Sequence, residues 1–271
     1  MVRRYALISA AVALVLLGGC SKNNNEEGAA TAGAGSSGGA TSGATAGIGD
    51  YWPQLGPLLA GSHGGQCQDA QGAAAAGSAI AVGADGKLTA PGVDARLQDA
   101  ASINLGRKTK NGVVRADVLV SLDDAGTALT LSDEGPGHSG AWLTQGEKQL
   151  TCPNTASLEK IRKQPLYKTL AQGMDVSPSS VECADTSTMQ ARPGIGFKLA
   201  NGIATLGDQT YDLGQARDET LMLTKNEIAL TYALTAADGT TLHLSYAGPG
   251  KLKGIQTTGQ SRPVLACEVK G

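Results

Sequence analysis

The second half of the chain carries the hydrophobic pattern of short antiparallel strands. Ile228, Leu230, Tyr232 and Leu234 alternate with other residues at a period of two, Ala237-Asp238-Gly239 reads as a turn, and Leu242, Leu244 and Tyr246 resume the alternation. Successive side chains of a strand point to opposite faces, so this pattern buries one face of a sheet and wets the other. Phe197-Lys198-Leu199, Ile203–Leu206 and residues 210–213 form three more short runs, separated by Asn201-Gly202 and Gly207-Asp208. Asn-Gly between such runs predicts a tight hairpin, because both residues accept positive φ. The first half matches: Val114, Ala116, Val118, Val120 and Leu122 alternate, Asp124-Ala125-Gly126 turns, and Leu129 and Leu131 continue.

The match extends to an internal repeat. Cys67 and Gly86 recur 116 residues later as Cys183 and Gly202, and Cys152 recurs 115 residues later as Cys267. Between them, Leu129-Thr130-Leu131-Ser132-Asp133-Glu134-Gly135-Pro136-Gly137 recurs 113 residues later as Leu242-His243-Leu244-Ser245-Tyr246-Ala247-Gly248-Pro249-Gly250. Six of these nine residues are identical, and loop insertions account for the drift in offset. The expected fold is therefore all-β: two tandem homologous small antiparallel β-barrel or sandwich domains, at 50–153 and 178–271, joined by a short helical connector at 154–177. In the connector, Asn154 is placed to cap a helix carrying Leu158 and Ile161 up to Pro165, with a second turn at 166–171. Tyr51, Trp52, Leu55, Leu58 and Leu59 form an apolar segment expected to dock on the first domain.

Each unit begins near one cysteine and ends near another. Four cysteines allow three pairings. The repeat favours Cys67–Cys152 and Cys183–Cys267, since each unit then closes on itself. Each bridge spans a loop worth about 4–5 kcal/mol on the chain-entropy model. Aromatic residues make up only 3% of the sequence, so each unit has a thin core in need of such staples. No Cys-x-x-Cys pair occurs, and no histidine lies at ligand spacing from a cysteine, so neither a metal nor a cofactor is expected.

The N-terminus reads as an address. Arg3 and Arg4 precede a short apolar run, residues 5–17, that is too short to span a membrane. The run ends in Leu17-Gly18-Gly19-Cys20, which resembles the lipobox of bacterial lipoproteins. That resemblance implies a signal peptide at 1–19, cleaved before Cys20, and lipidation (palmitate included) on Cys20. Ser21 follows, and in Gram-negative lipoproteins this implies sorting to the outer membrane, facing the periplasm. Residues 20–49 are the lipidated cysteine and a Gly/Ala/Ser-rich tether, which as a flexible coil reaches roughly 30 Å. Loss of Arg3 and Arg4 leaves 20 basic against 24 acidic residues, a net charge of −4 with no basic block. Nucleic acid is excluded as an expected partner.

Signals of catalysis are sparse. The three histidines are His63, His138 and His243, and no Gly-x-Ser-x-Gly elbow is present. Asp123-Asp124 and Asp133-Glu134 flank turns, where acidic residues serve the turn itself, and no loop has the ligand spacing of an EF-hand. The chain reads as a binding protein rather than an enzyme. The two Ser-x-x-Gly-Pro-Gly turns are followed by different side chains, His138, Ser139 and Trp142 in one and Lys251 and Lys253 in the other. A shared turn geometry with varied tips is how a scaffold presents residues to a partner, so these five are the candidates for partner binding.

The second unit resembles bacterial periplasmic and membrane-bound lysozyme inhibitors, which are small antiparallel barrels tied by a disulfide and often lipoproteins. Gly207-Asp208-Gln209-Thr210-Tyr211-Asp212-Leu213 is similar to a strand of that family, and Ser139-Gly140-Ala141-Trp142, in the other unit, is similar to its inhibitory loop. The chain also resembles immunity lipoproteins kept in the envelope against secreted toxins. These resemblances imply an inhibitor or immunity protein that blocks a secreted hydrolase such as a lysozyme-like enzyme. The alternative is a non-catalytic outer-membrane scaffold or assembly lipoprotein that binds resident envelope proteins.

Overall fold

A computed structural model describes residues 47–64, 67–75, 77–135, 137–153, 158–170, 174–178, 180–259 and 264–270. The expected signal peptide, Cys20, the tether up to residue 46 and the cap Asn154 lie outside the described residues.

Helix α1 (Ile48–Leu59) comes first, followed by strands β1 (Gly61–Gly64), β2 (Gln68–Asp69), β3 (Ala79–Val82), β4 (Lys87–Ala90) and β5 (Val93–Arg96). A five-strand meander completes the first half: β6 (Ser102–Lys110), β7 (Val113–Ser121), β8 (Ala128–Asp133), β9 (Ser139–Gln145) and β10 (Lys148–Pro153). Two short helices connect the halves, α2 (Glu159–Lys163) and α3 (Leu166–Thr169). The second half repeats the order with β11 (Ser180–Asp185), β12 (Gln190–Arg192), β13 (Phe197–Ala200), β14 (Ile203–Leu206) and β15 (Gln209–Asp212). Its meander is β16 (Asp218–Thr224), β17 (Leu230–Thr235), β18 (Thr241–Tyr246), β19 (Leu252–Thr258) and β20 (Leu265–Lys270).

The expected strands form where the alternation places them. In β17 and β18, Leu230, Tyr232, Leu234, Leu242, Leu244 and Tyr246 are buried on one face. In β7 the same holds for Ala116, Val118 and Val120. The β13–β14 hairpin turns on Asn201 and Gly202 with φ of 54° and 76°, as Asn-Gly predicts. Disulfides join Cys67 to Cys152 and Cys183 to Cys267. The second pair lies directly opposite in the β11–β20 register, so each bridge ties the beginning of a half to its final strand.

The expectation of small antiparallel barrels or sandwiches holds for the antiparallel β class and is corrected on closure, since none of the sheets closes into a barrel. The meanders instead form one open sheet of 13 strands in the order β12-β11-β20-β19-β18-β17-β16-β6-β7-β8-β9-β10-β2, with antiparallel neighbours throughout. Two smaller sheets, β1-β3-β4-β5 and β13-β14-β15, accompany it. The physical reason is the pairing of β6 with β16. In that register Leu105 faces Leu221, and these two residues are themselves 116 positions apart, the offset of the repeat. Equivalent strands therefore pair about equivalent residues, the arrangement of an isologous two-fold contact. The strand edge that would close each half on itself is satisfied by the other half. One buried core runs through both, and residues 43–271 form a single unit.

The apolar N-terminal segment docks as a helix that starts within the expected tether, since Ile48 is already helical and buried. Tyr51, Trp52, Leu55 and Leu59 are buried too, and burial carries the helix past its internal Pro53 and Pro57. The Trp52 indole N–H donates to the Ala84 carbonyl at 3.1 Å. A Cβ on Gly86 would lie 2.9 Å from the Trp52 ring, and one on its repeat partner Gly202 would lie 2.6 Å from the Tyr167 ring. The repeated glycine thus lets an aromatic ring of the preceding helix sit on each small sheet, Trp52 from α1 and Tyr167 from α3. In the connector, Leu158 and Ile161 are both buried, but α2 begins only at Glu159, so Leu158 is its N-cap rather than a residue carried by the helix.

Because core and sheet cross the seam, Leu221→Ala should destabilise both halves together, by about 2–5 kcal/mol for a fully buried leucine. Both tryptophans, Trp52 and Trp142, lie in the first half. Their fluorescence should report a lower urea midpoint that coincides with the loss of β circular dichroism. An unchanged tryptophan midpoint would show that the halves unfold separately.

Candidate functional site

The two Gly-Pro-Gly turns have the same backbone hydrogen bonds. Glu134 and His138 bond N–H to carbonyl at 2.9 Å, and Ala247 and Lys251 do so at 2.9 Å; His138 N–H reaches Gly135 O at 3.0 Å, and Lys251 N–H reaches Gly248 O at 2.9 Å. Gly137 and Gly250 supply the positive φ, 77° and 69°. His138 and Lys251 are therefore equivalent tip residues, both exposed. Five pairing steps, each antiparallel, separate β8 from β18, so the two turns leave opposite ends of the sheet. The five candidate residues consequently form two groups, with His138, Ser139 and Trp142 at one place and Lys251 and Lys253 at another.

The second group lies in a built surface. Lys251, Lys253 and Lys270 line a cleft of about 450 Å³ with Asp175 and Ser177. Lys270 pairs with Glu268 at 2.8 Å and with Glu182 at 3.5 Å, and its hydrogen bond holds the Glu268 carboxyl below the usual range. Among the described residues neither Lys251 nor Lys253 forms an ion pair. Lys251 stands on the turn and Lys253 on β19 beside it, where its charge helps to lower the Glu268 carboxyl.

Lys253 also borders a second depression, of about 440 Å³, on the solvent-facing side of β18, β19 and β20. Its lining includes His243, Gln256 and Glu268 together with Gly254 and Ala266. The alternation that buries Leu242 and Leu244 turns His243 to this face, and partial burial depresses its imidazole pKa. The matching surface of the first half is filled. There Trp142 lies across Gly140, close enough that a Cβ on Gly140 would be 2.7 Å from the indole ring. Trp142 is thus a half-buried cover rather than a free tip. Gly254 and Gln256 escaped the sequence reading, although a glycine at a solvent-facing strand position is a signal of close approach.

Buried charge elsewhere serves the connector. The Glu219 carboxylate accepts from the Tyr232 hydroxyl at 2.7 Å and the Leu166 N–H at 2.9 Å, and lies 3.4 Å from the Arg107 guanidinium. Arg107 in turn donates to the Arg162 carbonyl at 3.1 Å. Burial raises the Glu219 pKa despite these partners. A further hollow, at the tip of the β6–β7 hairpin, is bordered by Arg115, which pairs with Asp117 at 2.8 Å and Glu134 at 2.5 Å, and by Arg217, which pairs with Asp218 at 3.1 Å. Lys108 and Lys110 also line it, and neither forms an ion pair among the described residues.

Among the described residues no group of three His, Cys, Asp or Glu side chains is arranged to hold a metal ion, and no helix is long and apolar enough to cross a membrane. The two disulfides point to folding in an oxidising, non-cytoplasmic compartment. In comparisons with known proteins no family model matches the chain, and no curated protein or solved structure matches it.

His243 should titrate below 6.5. Its folded pKa lies under its unfolded value, so its contribution to stability is present above pH 6.5 and is lost as pH falls through the folded value. Histidine NMR titration checks the pKa. His243→Gln should remove part of the acid-side loss of stability, and an imidazole titrating at or above 6.5 would refute the burial argument.

Proposed function

We propose that this chain is a lipid-anchored envelope protein that binds and inhibits a secreted hydrolase of the lysozyme kind, without catalysis of its own. The observation that carries the reading is the pair of lysines, Lys251 and Lys253, held without ion pairs among the described residues at a rigid turn beside a cleft. Glycoside hydrolases work with two carboxyl groups across a cleft, and two ammonium groups, Lys251 on the turn and Lys253 beside it on β19, are complementary to that pair. The disulfides and the shared core hold the turn in place before binding, which lowers the ordering cost of association. In this reading the chain arose by duplication of one β module, with residues 50–153 and 178–271 as its copies and Cys20 as its membrane anchor. The anchor places it at the outer membrane facing the periplasm.

The placement of the two turns at opposite ends of the sheet favours a second reading, a scaffold that joins two resident envelope proteins.

The lipid-free mature chain, carrying Cys20→Ser, serves as bait against the secreted and periplasmic proteins of its own cell. Recovery of a single cell-wall hydrolase that the bait inhibits is the expected result. The double variant Lys251→Glu, Lys253→Glu should then weaken inhibition about 10- to 100-fold, with more effect at low salt. Recovery of outer-membrane assembly proteins alone would overturn inhibition and leave the scaffold. For the anchor, Cys20→Ser should abolish palmitate labelling and release the protein from the membrane fraction; retention of either would remove Cys20 from the reading.

A further inference from the structure

Gly140 and Gly254 occupy equivalent places in the two halves. Each lies opposite a repeated serine, Ser132 for Gly140 and Ser245 for Gly254, with its strand on the other side paired to β10 or β20. Two residues further along the same face stand Trp142 in one half and Gln256 in the other. The difference in cover is complete. Gly140 points to solvent yet is buried, because the Trp142 ring lies against its backbone. Gly254 is partly exposed, and the nearest atom to a Cβ built on it is a backbone oxygen at 3.6 Å. Glycine in a strand interior weakens the strand, and an aromatic ring laid across it restores the lost packing. The first half supplies that ring from its own chain.

We propose that the depression over Gly254 is a docking site for an aromatic side chain of the protein partner, seated across Gly254 as Trp142 is seated across Gly140. This deepens the binding function above and rests on it. The volume, about 440 Å³, falls within the range of side-chain and small-molecule sites. Gly254 has no side chain between its cross-strand neighbours Ser245 and Glu268, which leaves room over its backbone for a ring, and the rest of the lining is selective. His243 offers an imidazole that burial disposes to the neutral form, and Lys253 offers an ammonium without an ion pair among the described residues. A cation beside a ring face adds attraction that an aliphatic side chain does not receive. Lys253 also lines the neighbouring cleft, so a ring over Gly254 and carboxylates at Lys251 belong to one contiguous contact surface.

The test uses the full mature chain with Cys20→Ser, isotope-labelled for NMR, and three probes: N-acetyltryptophan amide, N-acetylleucine amide and N-acetylglucosamine. The tryptophan probe should give saturable shifts at Gly254 and His243 at millimolar concentration, well beyond those of the leucine probe, and should leave the Gly140 face unmoved. Gln256→Trp rebuilds in the second half the cover that Trp142 provides in the first, and should weaken the probe about tenfold or more. Gly254→Val, a substitution suited to a strand, fills that room by a second route and should do the same. Absence of saturable shifts at Gly254, an equal response to leucine, or undiminished binding by both variants would overturn the proposal. Preference for N-acetylglucosamine would also overturn it and make the depression a glycan site. Because the probes need no hydrolase, ring binding without capture of an enzyme sinks inhibition and leaves the docking site. Capture and inhibition without ring binding do the reverse.

Discussion

The pairing of β6 with β16 is the constraint on which the remaining structure depends. A meander of five strands has two edges, each lined with unpaired backbone N–H and C=O groups. Here one edge of each meander is consumed by the equivalent edge of the other, about Leu105 and Leu221, and both leucines are fully buried. The far side of each half is secured by its disulfide, which fastens the beginning of the half to its last strand. Every other element then has its place decided. The small sheets and the helices share one continuous core with the long sheet, and the connector is held where the seam offers it a polar grip.

That grip shows where the symmetry is broken. On one side of the local two-fold, β6 and β16 pair Ile103 with Leu223; at the equivalent point on the other side they pair Arg107 with Glu219. The apolar pair needs nothing further. In the charged pair Glu219 is buried and Arg107 half-buried, and the pair is acceptable only because Tyr232, Leu166 and Arg162 complete its hydrogen bonds. The same contrast recurs on the solvent side. Trp142 stands where the second half has Gln256, and His138 stands where it has Lys251, so the two halves present one filled surface and one open surface.

Much of this was legible in the sequence, and the rest was hidden for definite reasons. Period-two alternation marked β7, β17 and β18, Asn201-Gly202 marked a hairpin, and the cysteine spacing marked both disulfides, because each is a local or repeat-level signal. The edge-to-edge seam left no such mark. Alternation in β6 and β16 says which residues face inward, but not which strand lies alongside, and a closed barrel uses the same residues as an open sheet joined to its copy. The lysines at the second turn were visible as a tip that differs between copies. The depression over Gly254 was not, since it depends on strand pairing that sets Gly254 between Ser245 and Glu268 with no ring across it. Trp142, a candidate for partner binding, is half-buried, and its cover of Gly140 is a contact between i and i+2 on one face of a strand.

The two disulfides also bear on how the molecule meets proteases, which an oxidising compartment outside the cytoplasm commonly contains. Each bridge closes a loop of more than eighty residues, and the connector lies outside both loops. A cut in the connector would leave two pieces, each closed on itself and held to the other by the β6–β16 ladder and the core beneath it. A single cut inside either loop would leave its two fragments covalently joined through sulfur. The polypeptide can thus be nicked at one exposed place without the assembly coming apart, and continuity of the backbone is not what keeps the two halves together.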